Sequence, residues 1–262
     1  MQANDLTLLH EAALEAGRIA LRYWKHAPDS WDKGDGAGPV SEADLAVNAM
    51  LEAELRAARP DYGWLSEESV DDPARLAAKH SFIVDPIDGT RAFLNGDGGF
   101  AHALAVTEGH RVVAGIVHLP VHGLTYSATL DGPALLNGKP LTPSQRADLI
   151  DAKVLTSKLS DNPMHWRAGE VPAYKRTLRS SLAWRLCLVA EGRFDATISL
   201  RAAWEWDIAA ASLIAERAGL RTSDRNGAAL RFNEAHPQAD GIVVANAPLH
   251  QAFLDAIKPV PQ

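Results

Sequence analysis

The stretch SFIVDPIDGTRAF, residues 81–93, sets an apolar run against Asp85 and places Asp88 three positions on, with Pro86 and Ile87 between. A carboxylate at the end of a buried strand is costly unless a positive charge compensates for its desolvation. A divalent cation does so. Hard ions such as magnesium take oxygen ligands, and a proline-stiffened turn can aim two carboxylates, with an intervening carbonyl such as that of Ile87, at one place. Gly89 and Thr90 follow at once; glycine lets a ligand approach the backbone, and free N–H groups at a helix start bind anions. The stretch therefore offers a cation site beside a phosphate site. Taken alone, an Asp-x-x-Asp is more often an acidic surface turn in which the second aspartate caps a helix.

Two other carboxylate clusters shift that balance. WLSEES places Glu67 and Glu68 at the end of a strand that begins near Trp64, and EWDIAAA places Asp207 at the start of an alanine-rich helix. Asp44 stands three residues after Ser41, the spacing of a capping box. Each has an ordinary structural role open to it: a solvated acidic loop for the glutamates, a helix cap for Asp207. Together with Asp85 and Asp88 they supply enough oxygen ligands for two or more magnesium ions.

The elements that must position these groups are written in the apolar spacing. Leu6, Leu9, Ala13, Ala16, Ala20 and Tyr23 recur at helical intervals, and a Gly- and Asp-rich loop is expected from Asp29 to Pro39. A second helix opens at Ser41 and stops before Pro60. Short apolar runs separated by turns at Glu108-Gly109 and Asn137-Gly138 then read as a largely antiparallel sheet. From about Leu141 strand-like runs (KVLTS, FDATISL, GIVVAN) alternate with helical ones (SSLAWRLCLVAEG, WDIAAASLIAERAG), the pattern of an α/β unit. The expected division is a metal-site domain over 1–138 and a domain over 139–262 that completes the site and selects substrate.

Composition excludes several classes. The 262 residues, 47% of them hydrophobic, suffice for a substantial core, and a net charge of -7 without a basic stripe argues against a nucleic-acid polymer as partner. Cys187 is the single cysteine, so there is no internal disulfide or cysteine-rich metal cluster, and it reads as a small buried apolar residue. The first residues lack the pattern of a secretory signal and no run reaches the length of a membrane span, so a soluble, cytoplasmic protein is expected.

DPIDGT (85–90), LSEES (65–69) and WDIAAASLIAERAG (206–219) together resemble the inositol monophosphatase superfamily, which includes bisphosphate nucleotidases and fructose-1,6-bisphosphatases. The first motif matches in full; Ser66 stands where glycine is usual, and Arg217 where glutamate is usual. The resemblance covers nearly the whole chain. It implies the α+β sugar-phosphatase fold, a layered αβαβα sandwich, with the N-terminal helices on the antiparallel sheet. It also implies residue roles. Glu67, Asp85 and the Ile87 carbonyl would hold one magnesium, Asp85, Asp88 and Asp207 another, and a weaker third ion would lean on Glu67, with Glu68 behind. Asp44 and Thr90 would orient the attacking water, and the Gly89 and Thr90 N–H groups would bind phosphate. Two or three magnesium ions, lithium sensitivity and a homodimer are implied by the resemblance alone.

A phosphate monoester needs neutralised charge, an activated water and a stabilised leaving alkoxide in line with it, which bound divalent ions can largely supply without a phosphoenzyme. The Asp-x-Asp-Gly-Thr loop of haloacid-dehalogenase phosphatases is a poorer match, because its aspartates stand two apart. A noncatalytic phosphate- or metal-binding module is the reading from another class, and the presence of both Asp44 and Thr90 argues against it. Substrate is less constrained. Inositol phosphatases typically place a glutamate seven residues before the Trp-Asp aspartate, where this chain has Leu200. Arg185, Arg201 and Lys158 could instead meet a second phosphate. SSLAWRLCLVAEG, with Ser181 and Cys187, resembles CysQ-like 3'(2'),5'-bisphosphate nucleotidases, which favours 3'-phosphoadenosine 5'-phosphate over myo-inositol monophosphate or histidinol phosphate. Trp184 could face the adenine.

Overall fold

In the computed structural model, which describes residues 2–34 and 38–259, the first helix runs Gln2–Tyr23 (α1) and buries Leu9, Ala12, Ala13, Ala16 and Ala20 along one stripe, as the 3.6-residue period requires. The stretch expected as an open loop instead carries a small ladder. Strand β1 (Ser30–Asp32) pairs antiparallel with β2 (Pro39–Ser41), Ser30 opposite Ser41 and Asp32 opposite Pro39. Three-residue strands are too short for alternation to register in the sequence; positions 35–37 of that stretch lie outside the described residues. Helix α2 (Glu42–Ala58) then starts from extended backbone at Ser41, whose N–H donates to the Asp44 carboxylate at 2.9 Å.

The strands that follow are β3 (Gly63–Ser66), β4 (His80–Asp88), β5 (Ala101–Glu108), β6 (Arg111–Leu119), β7 (Leu124–Thr129), β8 (Leu135–Leu136) and β9 (Lys139–Pro140), with the short helix α3 (Thr90–Leu94) between β4 and β5. They make one seven-stranded sheet whose spatial order is the sequence order. Every neighbouring pair is antiparallel except β3 and β4. That exception matters for the site. Parallel pairing sets Ser66 opposite Val84, so the C-terminal ends of both strands meet at one edge and Glu67 and Glu68 arrive beside Asp85.

The second half contributes β10 (Lys153–Leu155), β11 (Lys175–Thr177), α4 (Leu182–Ala190), β12 (Ala196–Ser199), β13 (Ala203–Trp204), α5 (Glu205–Arg217), β14 (Arg221–Ser223), β15 (Gln238–Ala239), β16 (Ile242–Ala245) and α6 (Ala247–Ala256). Five of these strands form a mixed sheet in the order β11-β10-β12-β16-β14. Helix α6 was not expected from the sequence. It starts directly after the apolar strand run, with Asn246 accepting from the Leu249 N–H and Pro248 in its first turn.

Three apolar cores define five layers. Leu51, Leu55 and Val47 of α2 pack with α1 on one face of the large sheet. Helices α4 and α5 fill the space between the large sheet and the five-stranded one, through Leu186, Val189, Ile208 and Leu213. Leu249 and Phe253 of α6 cover the outer face of the smaller sheet. Helix α5 lies so close to β6 that a Cβ at Gly115 would come within 2.9 Å of the Ala210 backbone. Glycine at that position sets how deeply α5, and therefore Asp207 in its first turn, sits against the sheet. Among the described residues no helix is long and apolar enough to cross a membrane.

Candidate active site

Strand β4 ends in a bulge. Asp85 lies opposite Ala103 and Asp88 opposite Ala101, so Pro86 and Ile87 share a single partner position. A bulge bends its strand and re-aims the side chains that flank it. Here it gathers Asp85 and Asp88 with Asp207 of α5, and carboxylate oxygens of the three come within 4.8 Å of one another. Glu67, from the end of β3, and the Ile87 backbone line the same cleft.

The electrostatics of this cluster are unfavourable without a cation. Burial, followed by repulsion from Glu67, Asp88, Asp207 and Asp44, pushes the Asp85 carboxyl well above its usual range. Asp207 is raised well above that range by burial and by Asp88 and Glu67, and a hydrogen bond to Asp85 partly offsets the rise. Asp88 is raised by burial but is the best supported of the three. Its Oδ2 accepts from Ser181 Oγ and the Ala183 N–H, both at 2.6 Å, and its Oδ1 from the Leu182 N–H at 3.2 Å. The first turn of α4 thus holds one side of the cluster through the partial positive charge of its free N–H groups.

Behind the cluster Asp44, 1% exposed, is fixed at both oxygens. Ser41 donates to Oδ2 from its hydroxyl at 2.6 Å, alongside the N–H bond, and Thr90 Oγ1 donates to Oδ1 at 3.1 Å. The same Thr90 hydroxyl lies 3.1 Å from the Ile87 carbonyl. Burial raises Asp44 to about 6 against the opposing pull of the Ser41 bonds. Thr90 therefore links a buried acceptor to the turn at the end of β4.

The cleft has a volume of about 520 Å³, and Arg91, Arg185 and Arg201 line it together with the carboxylates. Gly89 lies there too, at φ +100, where an added Cβ would stand 3.2 Å from the Gly99 carbonyl oxygen; a left-handed backbone this crowded suits glycine alone. Arg185 is anchored by its Nε to the Arg179 carbonyl at 2.5 Å. Burial lowers its pKa, Asp88 and Asp207 counter that, and Arg201 adds to the drop.

Several residues expected at the site stand elsewhere. Ser181 is fully buried and binds Asp88 and the Trp184 N–H, so it supports a carboxylate rather than touching substrate. Lys158 is exposed in a 3-10 turn and does not line the cleft, where Ser157 takes its place. Trp184 is 7% exposed and stacks on His122 with ring centroids 5.2 Å apart, which leaves it unavailable for a base. Leu200 is buried in the core under α6. Glu68 sits behind Glu67.

Sequence reasoning missed Lys33. Its ammonium lies 2.7 Å from Glu67 Oε1 and 2.9 Å from Glu68 Oε1. Burial works against that charge, the two carboxylates outweigh it, and the Lys33 pKa is raised. A lone cation in a Gly- and Asp-rich stretch carries no pattern that would single it out. Arg91 offered a stronger signal, because it directly follows Thr90.

The donor set suits a hard divalent cation. It is made of oxygen alone, and Asp85 Oδ1 is buried with no hydrogen-bond partner among the described residues. An acceptor left bare in this way costs about 1–3 kcal/mol unless something positive meets it.

Residues 1–261 match the model of the inositol monophosphatase family. This chain belongs to the inositol monophosphatase family. An inositol-1-monophosphatase of Mesorhizobium japonicum is 30% identical to it over 97% of this chain and 96% of its own length. A 3'-phosphoadenosine 5'-phosphate phosphatase of Mycobacterium leprae is 28% identical over 99% and 95%. The solved structure of the extragenic suppressor protein suhB from Bartonella henselae superposes with a TM-score of 0.81 at 27% identity, covering 96% of this chain and 97% of that one. As a member of the inositol monophosphatase family the chain is a phosphate monoester hydrolase of layered α+β fold, and the three-aspartate cluster stands at its cleft.

Proposed function

We propose that this chain is a magnesium-dependent phosphatase whose substrate carries a second anionic group, with 3'-phosphoadenosine 5'-phosphate, cleaved to AMP and phosphate, as the preferred example. The observation that carries the reading is the placement of Arg91, Arg185 and Arg201 on the same cleft as the carboxylate cluster. Three cations exceed what one phosphate needs once metal is present, and guanidinium groups match phosphate oxygens in pairs. The burial of Leu200 points the same way, since the position offers no carboxylate to ring hydroxyls.

In this reading Glu67, Asp85, the Ile87 carbonyl, Asp88 and Asp207 hold the magnesium, which supplies Lewis-acid stabilisation of the phosphate and its leaving oxygen. The remaining work falls to the chain. The Gly89 and Thr90 N–H groups orient the phosphate, and Thr90 Oγ1 takes a proton from the attacking water as Asp44 takes its own. Ser41 keeps Asp44 aimed at Thr90. The segment up to residue 138 provides the β4 ligands, and the segment after it adds Asp207 and selects substrate through Arg185 and Arg201.

Phosphate release tests this reading. The panel is 3'-phosphoadenosine 5'-phosphate, myo-inositol 1-phosphate, histidinol phosphate and fructose 1,6-bisphosphate, each with magnesium, with EDTA and with lithium added. The expected result is magnesium-dependent release, fastest from the adenosine bisphosphate. A preference for inositol phosphate would overturn the second-anion reading and leave the phosphatase reading intact; no magnesium-dependent release from any substrate would favour a binding module.

A further inference from the structure

At the bulge in β4 the carbonyls of Pro86 and Ile87 are each met by a side chain. Thr90 Oγ1 lies 3.1 Å from the Ile87 carbonyl, which shares the hydroxyl's one proton with Asp44. Pro86, which has no N–H of its own to pair, receives Nδ1 of His102 at 2.5 Å. His102 is the β5 residue between Ala101 and Ala103, directly opposite the bulge.

A carbonyl only accepts, so Nδ1 carries the ring proton and Nε2 is bare. Nε2 is buried without a hydrogen-bond partner among the described residues, and the residue is fully buried. Burial holds the ring uncharged, with its pKa lowered to about 3. As packing alone this is a poor choice, because an apolar residue of similar size would fill the space with no stranded nitrogen. What the imidazole adds is one directed bond, to the residue between two of the clustered carboxylates.

The ring is also held still. Phe100 meets it edge-on at 6.1 Å between centroids, and His118 on β6 stacks on it at 6.2 Å. His118 is fixed in turn by Thr125 Oγ1 at 2.8 Å, and Gly17 of α1 leaves room for it, since a Cβ there would come within 2.9 Å of His118 Nε2. The chain of contact runs from α1 through two imidazoles to the Pro86 carbonyl.

We propose that His102 is a positioning residue for the metal site, its Nδ1–H pinning the Pro86 carbonyl so that the bulge presents Asp85, the Ile87 carbonyl and Asp88 at the spacing a divalent cation needs. The proposal rests on the metal-dependent phosphatase reading and concerns how the ligands are held. Removing the donor loosens the spacing of the ligands and leaves their identity unchanged.

The test compares His102→Leu, which keeps bulk and loses the donor, with His102→Asn, which loses bulk and can place its amide N–H near the position of Nδ1. Magnesium affinity of the full chain is read by calorimetry without substrate, beside the melting temperature and the split of kcat from KM. The expected result is magnesium affinity at least about tenfold weaker in His102→Leu and within about threefold of wild type in His102→Asn, the reverse of the stability order that packing alone would give. Equal losses in the two variants, or a His102→Leu protein that binds magnesium like wild type, would overturn the proposal. If His102→Leu does not fold, the imidazole nitrogens of the wild type decide the matter by NMR: a protonated Nδ1 and bare Nε2 support the proposal, and the opposite tautomer refutes it. Failure of the wild type itself to bind magnesium would refute the metal reading before any variant is compared.

Discussion

Thr90 Oγ1 lies 3.1 Å from Asp44 Oδ1, and Ser41 covers the other oxygen of that carboxylate, so a hydroxyl at the cleft is wired to an acceptor that solvent does not reach. Thr90→Ala cuts this link and leaves the carboxylate cluster whole. Magnesium affinity by calorimetry should stay within a factor of about two, while kcat falls about 10²–10⁴-fold, the usual range for a lost proton-transfer partner. Unchanged turnover would remove Thr90 and Asp44 from the chemistry.

Asp85 contributes the most strained charge of the cluster, with one oxygen bare. Asp85→Asn keeps the shape and removes the repulsion on Asp88 and Asp207. Magnesium-dependent turnover should drop at least about a thousandfold, and the metal-free protein should melt a few degrees higher, since deleting an uncompensated buried charge relieves its desolvation cost. Wild-type activity in this variant would sink the metal assignment; a lower melting point would show that the hydrogen bond between Asp85 and Asp207 outweighs the repulsion.

Above about pH 6.5 the metal-free protein should become less stable as pH rises; below that, the buried neutral histidines His102, His118 and His250, whose pKa values burial lowers, oppose the carboxyls. Asp44 is held up to about 6, and Glu205, buried at the start of α5 and bonded to the Asn233 and Glu234 N–H groups, up to about 7; burial is the first cause of both. Asp85, Asp88, Asp207 and Glu67 are raised as well. A carboxyl raised in the folded state binds its proton more tightly there than when unfolded. Its stabilising contribution is complete below the unfolded value near 4, and is lost as pH climbs through the folded value. From about pH 6.5 to 8, where the histidines are largely neutral in both states and Glu205 and the most strongly raised carboxyls still release protons, the loss should be on the order of a few kcal/mol, seen as a falling melting temperature. Magnesium replaces the protons, so its stabilising effect should be larger at about pH 7.5 than at about pH 5. A melting temperature that rises with pH above about 6.5 in EDTA would contradict the carboxyl shifts.

Arg201 lines the cleft with Arg185, and in the proposed function it meets a second anionic group of the substrate. Arg201→Ala should raise KM for 3'-phosphoadenosine 5'-phosphate about tenfold or more, the worth of one charge-assisted hydrogen bond, and change KM for a substrate with a single phosphate less than about twofold. Equal effects on both substrates would assign Arg201 to the scissile phosphate.

What could be read in the sequence was chemistry compressed into a few neighbouring positions. Asp85, Asp88, Gly89 and Thr90 fall within six residues, and with the carboxylates of Glu67, Glu68 and Asp207 elsewhere in the chain their types point to a cation beside an anion. Ser41 and Asp44 declared a helix start through the spacing of a capping box, and the burial of Asp44 emerged only in the structure. Contacts that depend on long-range register were silent. Nothing in the local pattern says that β3 pairs parallel with β4, which brings Glu67 to the cluster, or that Lys33 crosses to meet Glu67 and Glu68. Ser181 was legible as a polar residue at a helix start but not as the support of Asp88, because that bond spans from α4 to β4. His102 looked like an ordinary strand histidine until the bulge opposite it was visible.

The cluster is divided along the chain: Asp85 and Asp88 belong to β4, while Asp207 arrives only with α5, pressed against β6 at Gly115. During synthesis the ribosome delivers the first two aspartates long before the third. A nascent chain that has made the large sheet has neither the complete set of oxygens nor the full repulsion among them. The electrostatic burden of the site thus arrives late, when α5 docks and the central core is there to bear it. Capture of a cation by all three aspartates therefore reports that the far half of the chain has folded onto the near half.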